Sequence, residues 1–195
     1  MKKTLLLLFA VLSLATSTAS FAQNGSWEIQ FGLGSGMSAH SKGRAEILYR
    51  SEDEDSPSPN APTILPTIMF SAGYNLKNAP VGIFLDLGWD HAWSRLKGGP
   101  SLLREQESRY HVMPNLRLYY IRRESFRMYA TLGVDMNYRR FEETYAGTIC
   151  SNQKFNIGYQ VAPVGFSFGD RWCFSFDLGY GTLYSLARIN VGYRF

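Results

Sequence analysis

Ala187-Arg-Ile-Asn-Val-Gly-Tyr-Arg-Phe195 is the stretch that decides the fold, because large apolar residues alternate strictly with polar or small ones along it. An alternation with a period of two sends the two sets to opposite faces of a β-strand. Similar stretches recur along the whole chain, and in each the large apolar and aromatic residues share one face. A strand with an apolar outer face and a polar inner face is typical of a β-barrel that spans a membrane.

The N-terminal segment, residues 1–22, is predicted to be a secretory signal peptide. Lys2 and Lys3 give it a charged start, and its apolar run is too short to span a bilayer. Ser20 and Ala22 are the small residues that a signal peptidase requires. A retained anchor helix fits this length and these flanks less well. Without the two lysines the formal charge falls from +4 to +2, so the basic composition does not indicate a nucleic-acid partner.

Residues 23–195 are predicted to form one domain, an outer-membrane barrel. This part has no apolar run long enough for a membrane helix. A membrane-spanning chain without such a run has to be a closed barrel, because lipid cannot hydrogen-bond to open backbone groups. The apolar faces predict an all-β, eight-stranded, antiparallel, up-and-down transmembrane barrel. The first outward residues of the predicted strands are Trp27, Ile64, Val81, Tyr110, Phe126, Phe155, Trp172 and Ala187.

The predicted connections alternate between short and long. Because barrels of this class keep short turns in the periplasm and long loops outside the cell, both chain ends are predicted on the periplasmic side of a Gram-negative outer membrane. The short connections are 75–80, 121–125 and 167–171, and the long ones are 35–62, 94–107 and 139–153, with one brief exception at 182–185.

Aromatic residues are predicted to form two girdles on the outer surface, where amphipathic rings sit at the level of the lipid headgroups. A soluble lipocalin-like barrel, the main alternative fold, would turn its large apolar side chains inward and would need no girdle. The girdle residues are Trp27, Tyr74, Trp89, Trp93, Tyr110, Tyr120, Phe126, Tyr138, Phe155, Trp172, Tyr180, Tyr193 and Phe195.

The inward positions carry acids and arginines in equal number. An eight-stranded barrel is only wide enough to be filled by side chains, and an unpaired charge inside it would be costly. These residues are therefore predicted to form a hydrogen-bonded plug, and a charged conduit is the alternative. Glu28 and Arg194, on the first and last strands, are expected to pair. The predicted lumen charge network comprises Glu28, Asp86, Asp90, Arg109, Arg117, Arg127, Asp135, Asp177, Arg188 and Arg194.

Prolines recur at Pro66, Pro114 and Pro163, which are 48 and 49 residues apart and each lie inside a predicted strand. Proline removes a ladder donor, so we expect a bulge or an unpaired carbonyl at each. The repeated apolar-proline start of these strands resembles the outer-membrane β-barrel family common in Bacteroidota, and the last strand, ending at Phe195, resembles the one that the barrel-insertion machinery reads. This resemblance covers the mature chain. It implies the fold, the outer-membrane location, and lipid, lipopolysaccharide and the insertion machinery as partners.

A second resemblance, to small outer-membrane enzymes that modify the acyl chains of lipid A, rests on His91 and Ser108. They are predicted to point outward as diagonal neighbours on adjacent strands. No outward acid is predicted beside His91, so no catalytic residue is assigned. His40 and His111 lack partners at metal-ligand or catalytic spacing, and neither a metal nor a cofactor is predicted.

The leading functional prediction is a non-enzymatic barrel whose outer loops serve envelope integrity or interaction with surfaces or host molecules. A narrow or lateral, porin-like transport path for small or apolar solutes is the alternative. The longest loop contains Ala45–Tyr49, whose alternation suggests an edge for β-augmentation, and the acidic run Ser51–Asp55, which lacks the spaced ligands of a calcium loop. Cys150, expected in an outer loop, and Cys173, expected near the periplasmic end, are predicted to be too far apart for a disulfide.

Overall fold

The computed structural model describes residues 25–35, 63–77, 79–95, 104–145 and 148–195. The predicted signal peptide lies outside the described residues, as do His40, Ala45–Tyr49 and the acidic run. Within the described ranges we find no helix with the length and apolar character of a membrane span.

One closed sheet contains every strand of the described part of the chain, and all its pairings are antiparallel. Its segments are β1 (Ser26–Gly34), β2 (Thr63–Ile64), β3 (Thr67–Asn75), β4 (Val81–Arg95), β5 (Arg104–Arg122), β6 (Phe126–Tyr145), β7 (Thr148–Phe168), β8 (Trp172–Gly181) and β9 (Ala187–Arg194). Both β2 and β3 pair with β4, so these two pieces occupy one strand position and the barrel has eight. Pairing of β1 with β9 closes it.

Side-chain burial alternates along the strands. On β1, Phe31 is 57% exposed whereas the neighbouring Gln30 is 1% exposed. The same alternation runs along β9. An outer surface covered with Ile, Leu, Val and Phe is unfavourable in water and favourable in lipid. The interior is polar, the reverse of a lipocalin-like barrel. The predicted fold, an eight-stranded antiparallel transmembrane barrel, is therefore confirmed.

The two ends of the barrel differ. The turn end carries the tight links after β3, β5 and β7 and both chain ends of the described barrel. In the last of these links Gly169 has a φ of 101°, a left-handed conformation that a residue with a Cβ rarely adopts. The loop end carries the other four links. There β5, β6 and β7, with 19, 20 and 21 residues, extend past the 10-residue β8 and form a protruding sheet.

This extension corrects two predicted loops. The connection predicted at 94–107 is shorter than expected, since β4 ends at Arg95 and β5 begins at Arg104. The one predicted at 139–153 is also mostly strand, because only residues 146 and 147 separate β6 from β7. Above the membrane both faces of a strand can be polar, so the apolar alternation that marks a strand disappears while the backbone pairing continues.

The three prolines behave differently from one another. The register shifts by one residue at Leu65–Pro66, between β2 and β3, and again beside Pro163 in β7. Pro114 lies in β5 opposite Leu85 with no register shift, and on the β6 side the pairing skips Met113 and Pro114, so this proline interrupts the ladder without a bulge. A further bulge, next to Tyr119 and Ile121, has no proline. It lies close to the turn end of β5, where bulges are common in barrels.

Candidate functional site

Glu28 is the centre of a charge cluster in the lumen at the turn end. Its side chain is buried, and its Oε2 atom accepts a hydrogen bond from Arg194 Nε at 2.9 Å. Arg117 Nη1 lies 3.3 Å from Oε1, and Arg127 Nη1 lies 3.7 Å from Oε2. The predicted pair of Glu28 and Arg194 is thus present, and it joins the first strand to the last. One carboxylate meets three guanidinium groups here.

Arg188 occupies the middle of the lumen between two aspartates. Arg188 Nε donates to Asp177 Oδ2 at 2.6 Å, and Arg188 Nη1 donates to Asp86 Oδ2 at 2.5 Å. All three side chains are fully buried. A buried arginine that bonds to carboxylates on two other strands links three strands, and its loss would leave both acids buried without a cation.

Arg117 links the turn-end cluster to this middle layer through aromatic rings. Its guanidinium carbon lies 3.8 Å from the centre of the Phe84 ring and 4.9 Å from that of Tyr129. Contacts of this kind stabilise a cation that is removed from water. Phe84 lies over Gly73, where an added Cβ would approach the ring to 2.2 Å, so a glycine is required for this stacking.

The link between β8 and β9 folds into the barrel. Leu183 and Tyr184 are both 0% exposed, and they pack in a cluster with Met69, Met113 and Ala162. The sequence predicted a plain short loop at 182–185. Instead this segment, which we call the inturned link (residues 182–186), places an apolar layer across the lumen.

Gln160 on β7 holds the inturned link in place. Its Oε1 atom accepts hydrogen bonds from the backbone N–H groups of Leu183 and Tyr184, each at 3.2 Å, and its Nε2 atom donates to Tyr184 O at 3.1 Å. On the opposite wall, a Cβ added at Gly88 would lie 2.5 Å from Leu183 Cδ1. The wall and the link therefore pack closely against each other at this point.

A second charged region lies beyond the inturned link, toward the loop end. His111 Nδ1 lies 2.9 Å from Asp135 Oδ2, and His111 Nε2 lies 3.6 Å from Asp90 Oδ2. Thr182 Oγ1 donates to Asp135 Oδ2 at 2.7 Å, and Asn137 Nδ2 donates to it at 2.9 Å. The ring of His111 thus lies between two carboxylates that are distant from it in the sequence.

Glu107 forms the outermost part of this region. Arg109 Nε donates to Glu107 Oε1 at 2.6 Å, and Arg139 Nη2 donates to Glu107 Oε2 at 3.0 Å. Glu107 and Arg139 fell in predicted loops and so were missed. The sequence did contain a signal for both residues. Every second residue of a strand faces inward, and this alternation runs from Arg109 back to Glu107 and from Asp135 on to Arg139.

The ten residues of the predicted lumen network all have buried side chains in the barrel interior. With Glu107 and Arg139 added, the described lumen network comprises six acids and six arginines. In the described part of the chain, no group of three or more His, Cys, Asp or Glu residues could hold a metal ion. Both cysteines are free: Cys150 is exposed on β7 rather than in a loop, and Cys173 is buried.

The predicted girdle residues lie on the outer surface, where none of them is buried. At the turn end Trp27 packs edge-on against Tyr74 with ring centroids 5.2 Å apart, and Trp172 packs likewise against Tyr193 at 5.3 Å. Toward the loop end the rings follow the register from strand to strand. The pairs in that row are Trp89 with Tyr110, Tyr110 with Tyr138, and Tyr138 with Phe155.

One step further out the surface becomes polar. His91, Ser108 and Arg140 stand in direct register on β4, β5 and β6, and we call them the polar row. His91 Nδ1 lies 2.8 Å from Ser108 Oγ, so these residues are direct partners and not the predicted diagonal neighbours. The outward acid that the sequence did not indicate is Glu142. It pairs with Arg140 and not with His91.

The protruding sheet has an open edge. The pairing of β7 with β8 starts at Gln160, so residues 148–158 of β7 have a strand partner on the β6 side alone within the described residues. A strand paired on one side presents a row of backbone donors and acceptors to other chains. Ile149, near its outer tip, is 67% exposed.

No protein-family model and no curated protein matches the chain. Among solved structures it is similar to Ail, the attachment invasion locus protein of Yersinia pestis, in complex with the heparin analogue sucrose octasulfate. The TM-score is 0.51 at 15% identity, covering 89% of this chain and 100% of that chain. Another Ail structure has a TM-score of 0.48 at 18% identity, with the same coverage. Neisserial surface protein A matches with a TM-score of 0.48 at 12% sequence identity, covering 88% of this chain and 98% of that chain. At such identities the first likeness shows the barrel fold alone.

Proposed function

We propose that the protein is a non-enzymatic barrel of a Gram-negative outer membrane that acts through its outer end, in envelope integrity or in contact with surfaces or host molecules. The observation that carries this proposal is the filled lumen. Arg188, Leu183 and Tyr184 cross its middle with 0% exposure. A barrel whose interior is occupied by its own side chains acts through its outside.

In this proposal the turn end faces the periplasm and the loop end faces the environment, as the asymmetry of such barrels favours. Residues 1–22 serve as the signal peptide, and the last strand, ending at Phe195, is read by the insertion machinery. Lipid and lipopolysaccharide surround the apolar outer surface. The Bacteroidota family resemblance is consistent with this placement and is part of the same proposal.

The contact surface that we favour is the open edge of β7, and its occupant is an extended segment of a surface or host protein. A strand added to an open edge gains backbone hydrogen bonds along its whole length, a recurring mode of peptide recognition. The described edge replaces Ala45–Tyr49 as the favoured site, because its unpaired side follows from the register of β7 and β8.

The test is binding of whole cells that display the protein to immobilised matrix and serum proteins. Ile149→Lys adds a charge at the edge, which is how natural sheets discourage strand addition, so binding should fall. Leu186→Lys is the matched control, because Leu186 is 66% exposed but belongs to the inturned link and not to the edge. If both variants bind as the parent does, the edge is not the contact surface.

Transport through the lumen is tested separately. The parent protein in a planar lipid bilayer should give no stable step of porin size. A reproducible large step in the parent would replace this proposal with a transport function.

A further inference from the structure

The polar row has a defined height on the outer surface. It lies directly beyond the aromatic row of Trp89, Tyr110 and Tyr138, on the same three strands. Interfacial aromatic rings sit at the level of lipid headgroups. The three polar side chains therefore lie beside the phosphates and sugars of the surrounding leaflet and above its acyl chains.

The chemistry of the row suits an anion. The Arg140 side chain is 53% exposed, and a guanidinium group has five N–H donors, so its contact with Glu142 leaves donors for a ligand. Ser108 stands between Arg140 and His91 and can turn its hydroxyl hydrogen outward when His91 donates to its oxygen. Neighbouring strands are about 4.8 Å apart, so the row spans about 10 Å. Arginine beside hydroxyl donors is a common way to bind phosphate.

We propose that His91, Ser108 and Arg140 bind a phosphate group of a phosphorylated glycolipid in the outer leaflet. The inference rests on the proposed outer-membrane placement, which puts the loop end in the leaflet where such glycolipids reside. Arg140 supplies the charge that complements the phosphate, and Ser108 supplies a neutral donor. His91, held between the rings of Trp89 at 6.1 Å and Trp93 at 5.6 Å, fixes the serine.

A serine bonded to a histidine also raises the question of acyl-ester hydrolysis. A nucleophilic serine needs a histidine that is oriented by a third group. In the described residues no carboxylate hydrogen-bonds to His91. The outward acid, Glu142, pairs with Arg140 on the far side of Ser108. The geometry therefore favours binding over catalysis, and the experiment includes hydrolysis as an outcome.

The experiment is native mass spectrometry of the full chain folded into vesicles and released in mild detergent. Three probes are compared: a glucosamine disaccharide lipid with two phosphates, its dephosphorylated form, and phosphatidylethanolamine. We expect the parent to retain the phosphorylated glycolipid in preference to the other two. Arg140→Gln should lower this retention about tenfold, since it removes a charge-assisted contact. Ser108→Ala should lower it by a smaller factor.

Two further variants sharpen the outcome. Glu142→Gln should hold or raise retention, because it removes a competing negative charge beside Arg140. Lys154→Gln is the matched control, since Lys154 is an exposed basic residue on β7 that lies outside the row, and it should retain lipid as the parent does.

Equal retention by Arg140→Gln and the parent would overturn the proposal, as would equal retention of the phosphorylated and dephosphorylated probes. A probe that loses an acyl chain with the parent but not with Ser108→Ala would also overturn it, in favour of catalysis. Failure of the chain to insert into vesicles would instead contradict the proposed membrane function, so the two failures are distinguishable.

Discussion

The charge cluster at the turn end and the rest of the described lumen differ in their balance of acids and arginines. At the turn end one acid, Glu28, faces three arginines, an excess of positive charge. The rest of the described lumen, from Arg188 to the loop-end region, holds five acids and three arginines together with His111, so acids outnumber arginines there. Among the described acids and arginines of the lumen, neither region has equal numbers alone, whereas the two regions together do. Because charges interact over longer distances in a medium of low dielectric constant, the two ends depend on each other.

The largest expected effect comes from breaking the contact in the middle. Arg188→Met should lower the free energy of unfolding by about 4 kcal/mol, since it leaves Asp86 and Asp177 buried together without a cation. Urea unfolding in lipid vesicles, followed by tryptophan fluorescence, measures the change. Arg123→Met, at an exposed position of a tight turn, is the control and should alter stability by less than about 0.5 kcal/mol. Similar losses in both variants would contradict the role given to the middle layer.

The next effect concerns the closing pair at the turn end. Glu28→Ala should cost about 3 kcal/mol, because it leaves three arginines facing one another. In an Arg194→Ala background the same change should cost less. A double-mutant cycle on unfolding free energies measures the difference, and additive losses would remove the claim that this pair couples β1 to β9.

A smaller effect is expected from the apolar layer formed by the inturned link. Leu183→Ala should cost about 2 kcal/mol, the low end for a buried leucine, because the inturned link is held by Gln160 and can relax. Combined with Tyr184→Ala it should create a narrow path, visible as small conductance events in a bilayer in which the parent is silent. A double variant that stays silent would show that the charged layers alone seal the lumen.

The smallest effect on stability is expected on the outer surface. Arg140→Gln should change the unfolding free energy by less than about 0.5 kcal/mol, because an ion pair with a half-exposed partner contributes little. The unfolding free energy of Arg140→Gln is measured in the same vesicles as that of Arg188→Met. The two values compare an arginine on the outer surface with one in the lumen. A loss approaching that of Arg188→Met would mean that the polar row is structural.

The sequence predicted the membrane-spanning parts of the strands, where contact with lipid restricts which residues can face outward. Where a strand crosses the membrane, the face toward lipid has to be apolar. The alternation from Phe126 to Tyr138 therefore predicted a membrane-spanning strand and its two faces. The pairing of Glu28 with Arg194 could also be predicted, because closing the barrel places the turn ends of β1 and β9 side by side. Beyond the membrane that constraint ends. The outer parts of β5, β6 and β7 were therefore predicted to be loops, and Glu107 on β5 and Arg139 on β6 were missed with them.

The inturned link could not be read from the sequence for a different reason. Thr182, Leu183 and Tyr184 form a short connection, and nothing local decides whether such a segment points outward or inward. The decision comes from partners far away in the chain, the amide of Gln160 and the space opposite Gly88. The positions of bulges also depend on neighbouring strands and not on the local sequence. Pro66 and Pro163 lie at register shifts, whereas Pro114 does not.

The two free cysteines allow folding of the barrel to be followed by thiol labelling, because they differ in exposure. Cys150 is exposed near the tip of the protruding sheet, and Cys173 is buried at 2% exposure. A membrane-impermeant maleimide added to intact cells should attach to one thiol per folded chain, and to two after denaturation. Counting adducts by mass would follow folding and membrane orientation together, with no engineered tag, and adducts at Cys150 on intact cells would place the protruding sheet outside.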